Sequence, residues 1–228
     1  MVETEVNPAR VLLINDDPFE LATMSASLRL HGTNIIGEAS NAALAEKLFG
    51  SLHPDIVLID LQFSGEKAVG LLSSFRKSNP TVGTVIVTSC PDLRLFGLLE
   101  KDIPSGTRII LKRSVSDISI ITFALSESIE AAIHKTEVEW ISAPSPQVQN
   151  TFTTILNKLT DIQIETLRLV AQGLSNSEIA RVRVVSEKSV EQIIARIAQH
   201  LEIPTDRKRN LRVILAGEYY KWLGAPRH

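Results

Sequence analysis

Apolar and polar positions fall into two textures along the chain. From Val11 to about Glu139, short continuous apolar runs alternate with longer stretches of helical period. The runs Val11–Ile14, Ile35–Ile36, Ile56–Ile59, Val82–Val87 and Arg108–Leu111 have the length of buried strands. They lack in-out alternation, which predicts a parallel sheet covered on both faces. Between them, Pro18–Leu30 is a predicted helix, with Pro18 suited to its first turn and His31-Gly32 stopping it. Asn41–Leu52 is another, with Asn41 as cap and Leu44, Leu48 and Leu52 on one face. Gly65–Lys77 turns Val69, Leu72 and Phe75 inward, and Leu93–Glu100 is a short helix. Val115 to about Glu139 is a long last helix, with Ile118, Ile121, Leu125, Ile129 and Ile133 in step. Five strands alternating with five helices predict a doubly wound (βα)5 α/β domain with helices on both sides.

From Asn157 the pattern becomes purely helical. Thr160 caps a helix to Gln172 that Gly173 closes, and Asn176–Arg181 is a short second helix. Ser186 opens a third over Glu187–Leu201, and a fourth is expected from about Arg207 to Trp222. Val190, Ile194, Ile197 and Leu201 form the core stripe of the third helix. A short helix, a tight turn and a longer helix are the order of a helix-turn-helix. Trp140–Leu156 contains Ala143-Pro144-Ser145-Pro146-Gln147 and reads as a linker. The expected division is 1–139, linker 140–156, and an all-α domain 157–228.

Charge sharpens this division. The net charge of −2 over 228 residues hides an asymmetry. Residues 1–156 carry 12 Lys and Arg against 18 Asp and Glu, whereas residues 157–228 carry 12 against 8. The acidic and basic parts therefore suit different partners, the second a polyanion. No apolar run is long enough to span a membrane, and the N-terminus lacks the apolar core of a signal peptide. The single cysteine, Cys90, cannot form an internal disulfide, which fits a reducing cytoplasm. No P-loop, Cys–His pair or paired general acid and base is visible, so an enzyme is not expected.

Candidate chemistry sits at the ends of the predicted strands. In a parallel sheet these ends share one edge, where ligands bind. Asn15, Asp16 and Asp17 follow the first strand, Asp60 ends the third, Thr88 the fourth, and Lys112 the fifth. Clustered carboxylates call for a hard cation, and oxygen donors with room for water suit Mg²⁺. A carboxylate beside Mg²⁺, a hydroxyl and an ammonium can accept a phosphoryl group.

Residues 10 to about 135 resemble the receiver domain of two-component response regulators. The likeness is carried by Val11-Leu12-Leu13-Ile14-Asn15-Asp16-Asp17-Pro18, Val57-Leu58-Ile59-Asp60-Leu61-Gln62-Phe63-Ser64-Gly65, Val85-Ile86-Val87-Thr88-Ser89 and Ile110-Leu111-Lys112. The resemblance implies a flavodoxin-like fold with Asp60 as phosphoacceptor, Thr88 as switch hydroxyl and Lys112 as phosphate partner. It implies Mg²⁺ on Asp16, Asp60 and the Gln62 carbonyl. Asn15 stands where the family usually has an acid, and Ile109 where an aromatic residue is common.

Residues 157 to about 215 resemble the LuxR-type output domain through Leu159-Thr160, Thr166-Leu167-Arg168-Leu169-Val170-Ala171-Gln172-Gly173-Leu174-Ser175-Asn176-Ser177-Glu178-Ile179-Ala180 and Ser186-Glu187-Lys188-Ser189-Val190. Lys188, Gln192 and Arg196 are the expected groove contacts, because Gln can read adenine and Lys or Arg can reach guanine or phosphate. Arg207, Lys208, Arg209 and Arg212 form a cluster expected to supply phosphate contacts. Glu191 and Ile193 depart from the usual basic residue and histidine. Together the two likenesses imply a NarL/FixJ-type response regulator. Its implied partners are a sensor histidine kinase, DNA and a second copy in a homodimer. A receiver that works without phosphorylation, with the DNA function kept, is the alternative.

Overall fold

In a computed structural model of the chain, the described residues are 8–63, 66–115, 117–141, 156–204 and 208–224. The chain divides into two compact units. One is Met1–Thr88 with Glu100–Ser145, and the other is Ser89–Leu99 with Pro146–His228.

The first unit holds a six-stranded parallel sheet in the order β2-β1-β3-β4-β5-β6. Its strands are β1 (Arg10–Ile14), β2 (Asn34–Ala39), β3 (Ile56–Asp60), β4 (Gly83–Thr88), β5 (Arg108–Leu111) and β6 (Glu139–Ile141). The first five follow the flavodoxin-like order. Helices α1 (Pro18–Leu30), α2 (Ala42–Leu52), α3 (Glu66–Ser78) and α4 (Ser119–His134) cover the sheet. Strand residues alternate between the two covered faces. Val11, Leu13, Leu58 and Val87 pack with Leu28 of α1 and Ile121 and Leu125 of α4. On the other face, Phe49 of α2 and Phe75 of α3 stack with ring centroids 4.0 Å apart. A methyl group built on Gly83 would meet Ser128 Oγ at 2.3 Å, so the missing side chain lets α4 lie against β4.

Three expectations are corrected. The stretch Leu93–Glu100 is not one helix but two 3-10 turns, Leu93–Phe96 and Glu100–Asp102. Gly97, at φ +77°, separates them in a left-handed conformation that glycine adopts without strain. The last helix of this unit is shorter than its apolar stripe: Ile133 is 52% exposed, while Ala131 and Ala132 are buried. Lys135, left-handed at φ +49°, ends it. Finally, Glu139–Ile141 forms a sixth strand, paired with β5 through Arg108↔Glu139 and Ile110↔Ile141. The buried Arg108 guanidinium lies 3.3 Å from the Glu139 carboxylate, which fixes this register.

The second unit contains α5 (Asp161–Ala171), α6 (Asn176–Arg183), α7 (Glu187–His200) and α8 (Leu211–Trp222). Thr160 and Gln163 close a reciprocal capping box at α5. Ser175 and Ser186 cap α6 and α7 through Glu178 N and Ser189 N. The stripe Val190, Ile194 and Ile197 is buried as expected, packed with Leu167, Ile179 and Leu215. The fourth helix starts at Leu211 rather than Arg207, because Asn210 Oδ1 accepts from Arg212 N and sets the cap there. Most of the expected linker lies outside the described residues.

Candidate functional site

Parallel register brings the strand ends together. Ile14 pairs with Ile59, so Asn15 lies beside Asp60. Asp60 pairs with Val87, so Thr88 stands one residue beyond it. Thr88 pairs with Leu111, and Lys112 follows. Lys112 Nζ lies 2.6 Å from Asp60 Oδ2 and 2.6 Å from Glu20 Oε2. Asn15 Nδ2 donates to the same two oxygens at 3.1 Å each. Gln62 N donates to Asp60 Oδ1 at 3.0 Å within the 3-10 turn Leu61–Phe63. The Asp60 carboxylate therefore has a donor on each oxygen, although its side chain is only 4% exposed.

Burial pushes the Asp60 carboxyl above its ordinary value, and the ammonium of Lys112 offsets only part of that. For Lys112, burial acts to lower the pKa, but hydrogen bonds to Asp60 and Glu20 outweigh it and hold it above the usual lysine value. Burial likewise acts to raise Glu20, yet its bonds from Lys112 and Asn15 hold that carboxyl below the ordinary range. The result is a Glu–Lys–Asp relay of alternating charge, bridged by one amide.

Glu20 was not singled out in the sequence. Its only signal is an acid in the first turn of α1, the ordinary place for a helix-stabilising charge. Asn15 also has a role that its sequence position hides. Its Oδ1 accepts from Asp17 N at 2.8 Å, which turns the amide nitrogen toward Asp60. Asp17 is the N-cap of α1, accepting from Phe19 N and Glu20 N. Asp16 is exposed beside this cluster, and Thr88 is fully buried at the end of β4.

Among the described residues, no three His, Cys, Asp or Glu side chains come together as a metal cluster. The expected donor set is two carboxylates, Asp16 and Asp60, and one backbone carbonyl, Gln62. All are hard oxygens, and they leave the remaining positions to water, as Mg²⁺ accepts. The set fits that ion by donor chemistry.

In the helical unit, Lys188, Gln192 and Arg196 are exposed on α7. Their spacing of four residues places them along one side of the helix. Glu191 is exposed on the same helix, and Lys208 and Arg209 are exposed immediately before α8. Arg207 lies outside the described residues. Arg212 is turned inward, donating to Asn176 Oδ1 at 2.6 Å and to the Leu174 carbonyl, so it braces the start of α6.

Two families match the chain. "Response regulator receiver domain" matches residues 11–97, and "Bacterial regulatory proteins, luxR family" matches residues 157–208. The nitrate/nitrite response regulator protein NarP of Escherichia coli (strain K12) is 26% identical over 209 residues, 87% of this chain and 91% of that protein. NarL of the same organism is 27% identical over 213 residues, 86% and 90% respectively. The chain thus pairs a response regulator receiver domain with a luxR-family domain, the composition of two-component response regulators of the NarL/FixJ type. The structure of the RcsB–DNA complex shares the fold, with a TM-score of 0.53 at 20% identity, covering 95% of this chain and 100% of that one. By its luxR-family domain this protein is a DNA-binding transcription regulator. Among its described residues, no helix is long and apolar enough to cross a membrane.

Proposed function

We propose that this regulator is switched by phosphorylation of Asp60 and then reads DNA through α7. The observation that carries the proposal is the buried Asp60 carboxylate with the Lys112 ammonium 2.6 Å away at the sheet edge. A sensor kinase's phosphohistidine is the donor. Its P–N bond breaks as an Asp60 oxygen forms the new P–O bond. Lys112 keeps Asp60 ionised for that attack and then pairs with the added negative charge. Thr88 donates its hydroxyl to a phosphoryl oxygen. Asp16, Asp60 and the Gln62 carbonyl would hold Mg²⁺, whose positive charge would screen the phosphoryl oxygens. Asn15 supplies a neutral donor where a further carboxylate would repel them.

In the helical unit, Lys188, Gln192 and Arg196 contact base edges and phosphates, and Arg207, Lys208 and Arg209 contribute phosphate contacts. The regulator acts in the cytoplasm as a homodimer on two half-sites about 34–36 Å apart. Phosphorylation shifts an existing equilibrium toward the binding-competent form.

The test uses acetyl phosphate and Mg²⁺ on the full chain. Wild type gains one phosphoryl group by intact mass, and Asp60→Ala gains none. If both stay unmodified with acetyl phosphate and with kinase, the phosphorylation reading fails and the phosphate-independent regulator takes its place. DNA affinity that falls steeply with salt, and falls on Lys188→Ala, supports the second half of the reading.

A further inference from the structure

The stretch Ser89–Leu99 follows β4 directly in sequence but is built into the helical unit. Asp92 caps its 3-10 turn through Arg94 N, and Gly97 closes it. Cys90 and Leu95 are fully buried in one cluster with Leu159, Leu215 and Trp222. The Tyr219 hydroxyl of α8 donates to the Leu95 carbonyl at 2.6 Å. Burial pushes that phenol up to about 12, which keeps it a donor throughout the physiological range.

Arg94 is the fixing point. Its Nε and Nη2 fork onto the Asp92 carboxylate, at 3.0 and 2.7 Å. Its remaining donors reach the helical unit: Nη2 to the Leu156 carbonyl at 3.1 Å, and Nη1 to the Leu159 carbonyl at 3.2 Å and Asp161 Oδ1 at 2.8 Å. Asp161 is the first residue of α5. One planar guanidinium therefore satisfies two carbonyls and a carboxylate just where α5 begins. A lysine has no such fork.

We propose that Ser89–Leu99 is a strap through which the state of the Asp60 pocket sets the order of the DNA-binding unit, with Arg94 as its positioning residue. This rests on the phosphorylation reading above. Ser89 is peptide-bonded to Thr88, the hydroxyl that would turn toward a phosphoryl group. Movement of Thr88 draws on the strap and loosens Cys90 and Leu95 from the cluster. The buried stripe of α7, Val190, Ile194 and Ile197, belongs to that cluster, so the loosening reaches the helix that reads DNA.

Amide hydrogen exchange on the full chain tests this, in wild type, Arg94→Ala and Arg94→Lys, with and without acetyl phosphate and Mg²⁺. Arg94→Ala should speed exchange roughly tenfold or more in residues 89–99 and in α8 while leaving β3 unchanged, because several charge-assisted hydrogen bonds are lost together. Arg94→Lys, which keeps the charge without the fork, should fall between the two. Phosphorylated wild type should show faster exchange in the same segments. Unchanged exchange at 89–99 and α8 in Arg94→Ala overturns the proposal. So does an equal rise in β3, or phosphorylated wild type that exchanges like unphosphorylated. Absence of any phosphoryl adduct on wild type instead sinks the phosphorylation reading, and the strap is then judged on the Arg94 variants alone.

Discussion

Replacing Lys112 by Met removes the ammonium from between two carboxylates and keeps most of the stem. Asp60 is only 4% exposed, Lys112 22% and Glu20 45%. Breaking a buried ion pair by deleting one partner costs about 3–5 kcal/mol. The Glu20 arm is half solvated, so it adds no more than about 1 kcal/mol. Asp60 has an escape, however. Burial already holds its carboxyl above the ordinary range, and without Lys112 it rises further. Every further tenfold weakening of the acid is worth about 1.4 kcal/mol, and once protonated the group needs no counter-charge. The loss should therefore be about 2–3 kcal/mol near pH 8 and shrink below about 1 kcal/mol near pH 5. Urea unfolding in a Trp222→Phe background gives the measurement, because Trp140 of β6 is then the sole tryptophan of the chain. Asp60→Asn added to Lys112→Met should recover most of the loss at pH 8. No loss at pH 8, or a loss that grows toward pH 5, would refute the account of Asp60 as a buried charge neutralised by Lys112.

Three further outcomes follow from the same geometry. Asn15→Asp replaces an amide that donates to both Asp60 and Glu20, so the metal-free protein should lose about 1–3 kcal/mol, and Mg²⁺ should raise its melting temperature more than it raises that of wild type. An equal Mg²⁺ response in both proteins would count against it. Glu20 has a lowered folded pKa, so its stabilisation is present above the ordinary glutamate value and is lost as pH falls through the folded one. Glu20→Gln should thus cost at most about 1 kcal/mol at pH 7 and flatten the fall in melting temperature below about pH 4.3. Val184 is β-branched, 90% exposed and left-handed at φ +54°, so Val184→Gly should stabilise the helical unit by about 1 kcal/mol in chemical denaturation.

The strand ends were readable because parallel register converts spacing along the chain into proximity at one edge. Asp60, Thr88 and Lys112 needed no more than that. Glu20 was not readable in this way. Its contact with Lys112 spans 92 residues, and a first-turn acid looks the same whether or not it has a distant partner. The sixth strand is too short to show a period: Glu139 falls at the end of the expected helix, and Trp140 and Ile141 at the start of the expected linker. What makes it a strand is the free edge that β5 offers and the buried Arg108, both tertiary facts. The Leu93–Glu100 stretch has helical apolar spacing, but left-handed Gly97 divides it into two 3-10 turns. The carbonyl partners of Arg94 lie more than 60 residues away. Arg212 shows the converse error, since a basic residue in a charged run need not face solvent.

The parallel direction of β6 has a consequence for the path of the chain. An antiparallel sixth strand would deliver the polypeptide to the far side of the sheet. A parallel one ends beside Ile110, at the edge that carries Asp60 and Lys112. The chain also leaves β4 at that edge, through Thr88. Both covalent departures from the sheet toward the helical unit therefore start at one rim. The phosphoryl group proposed for Asp60 would sit at the same edge, at the root of both leads.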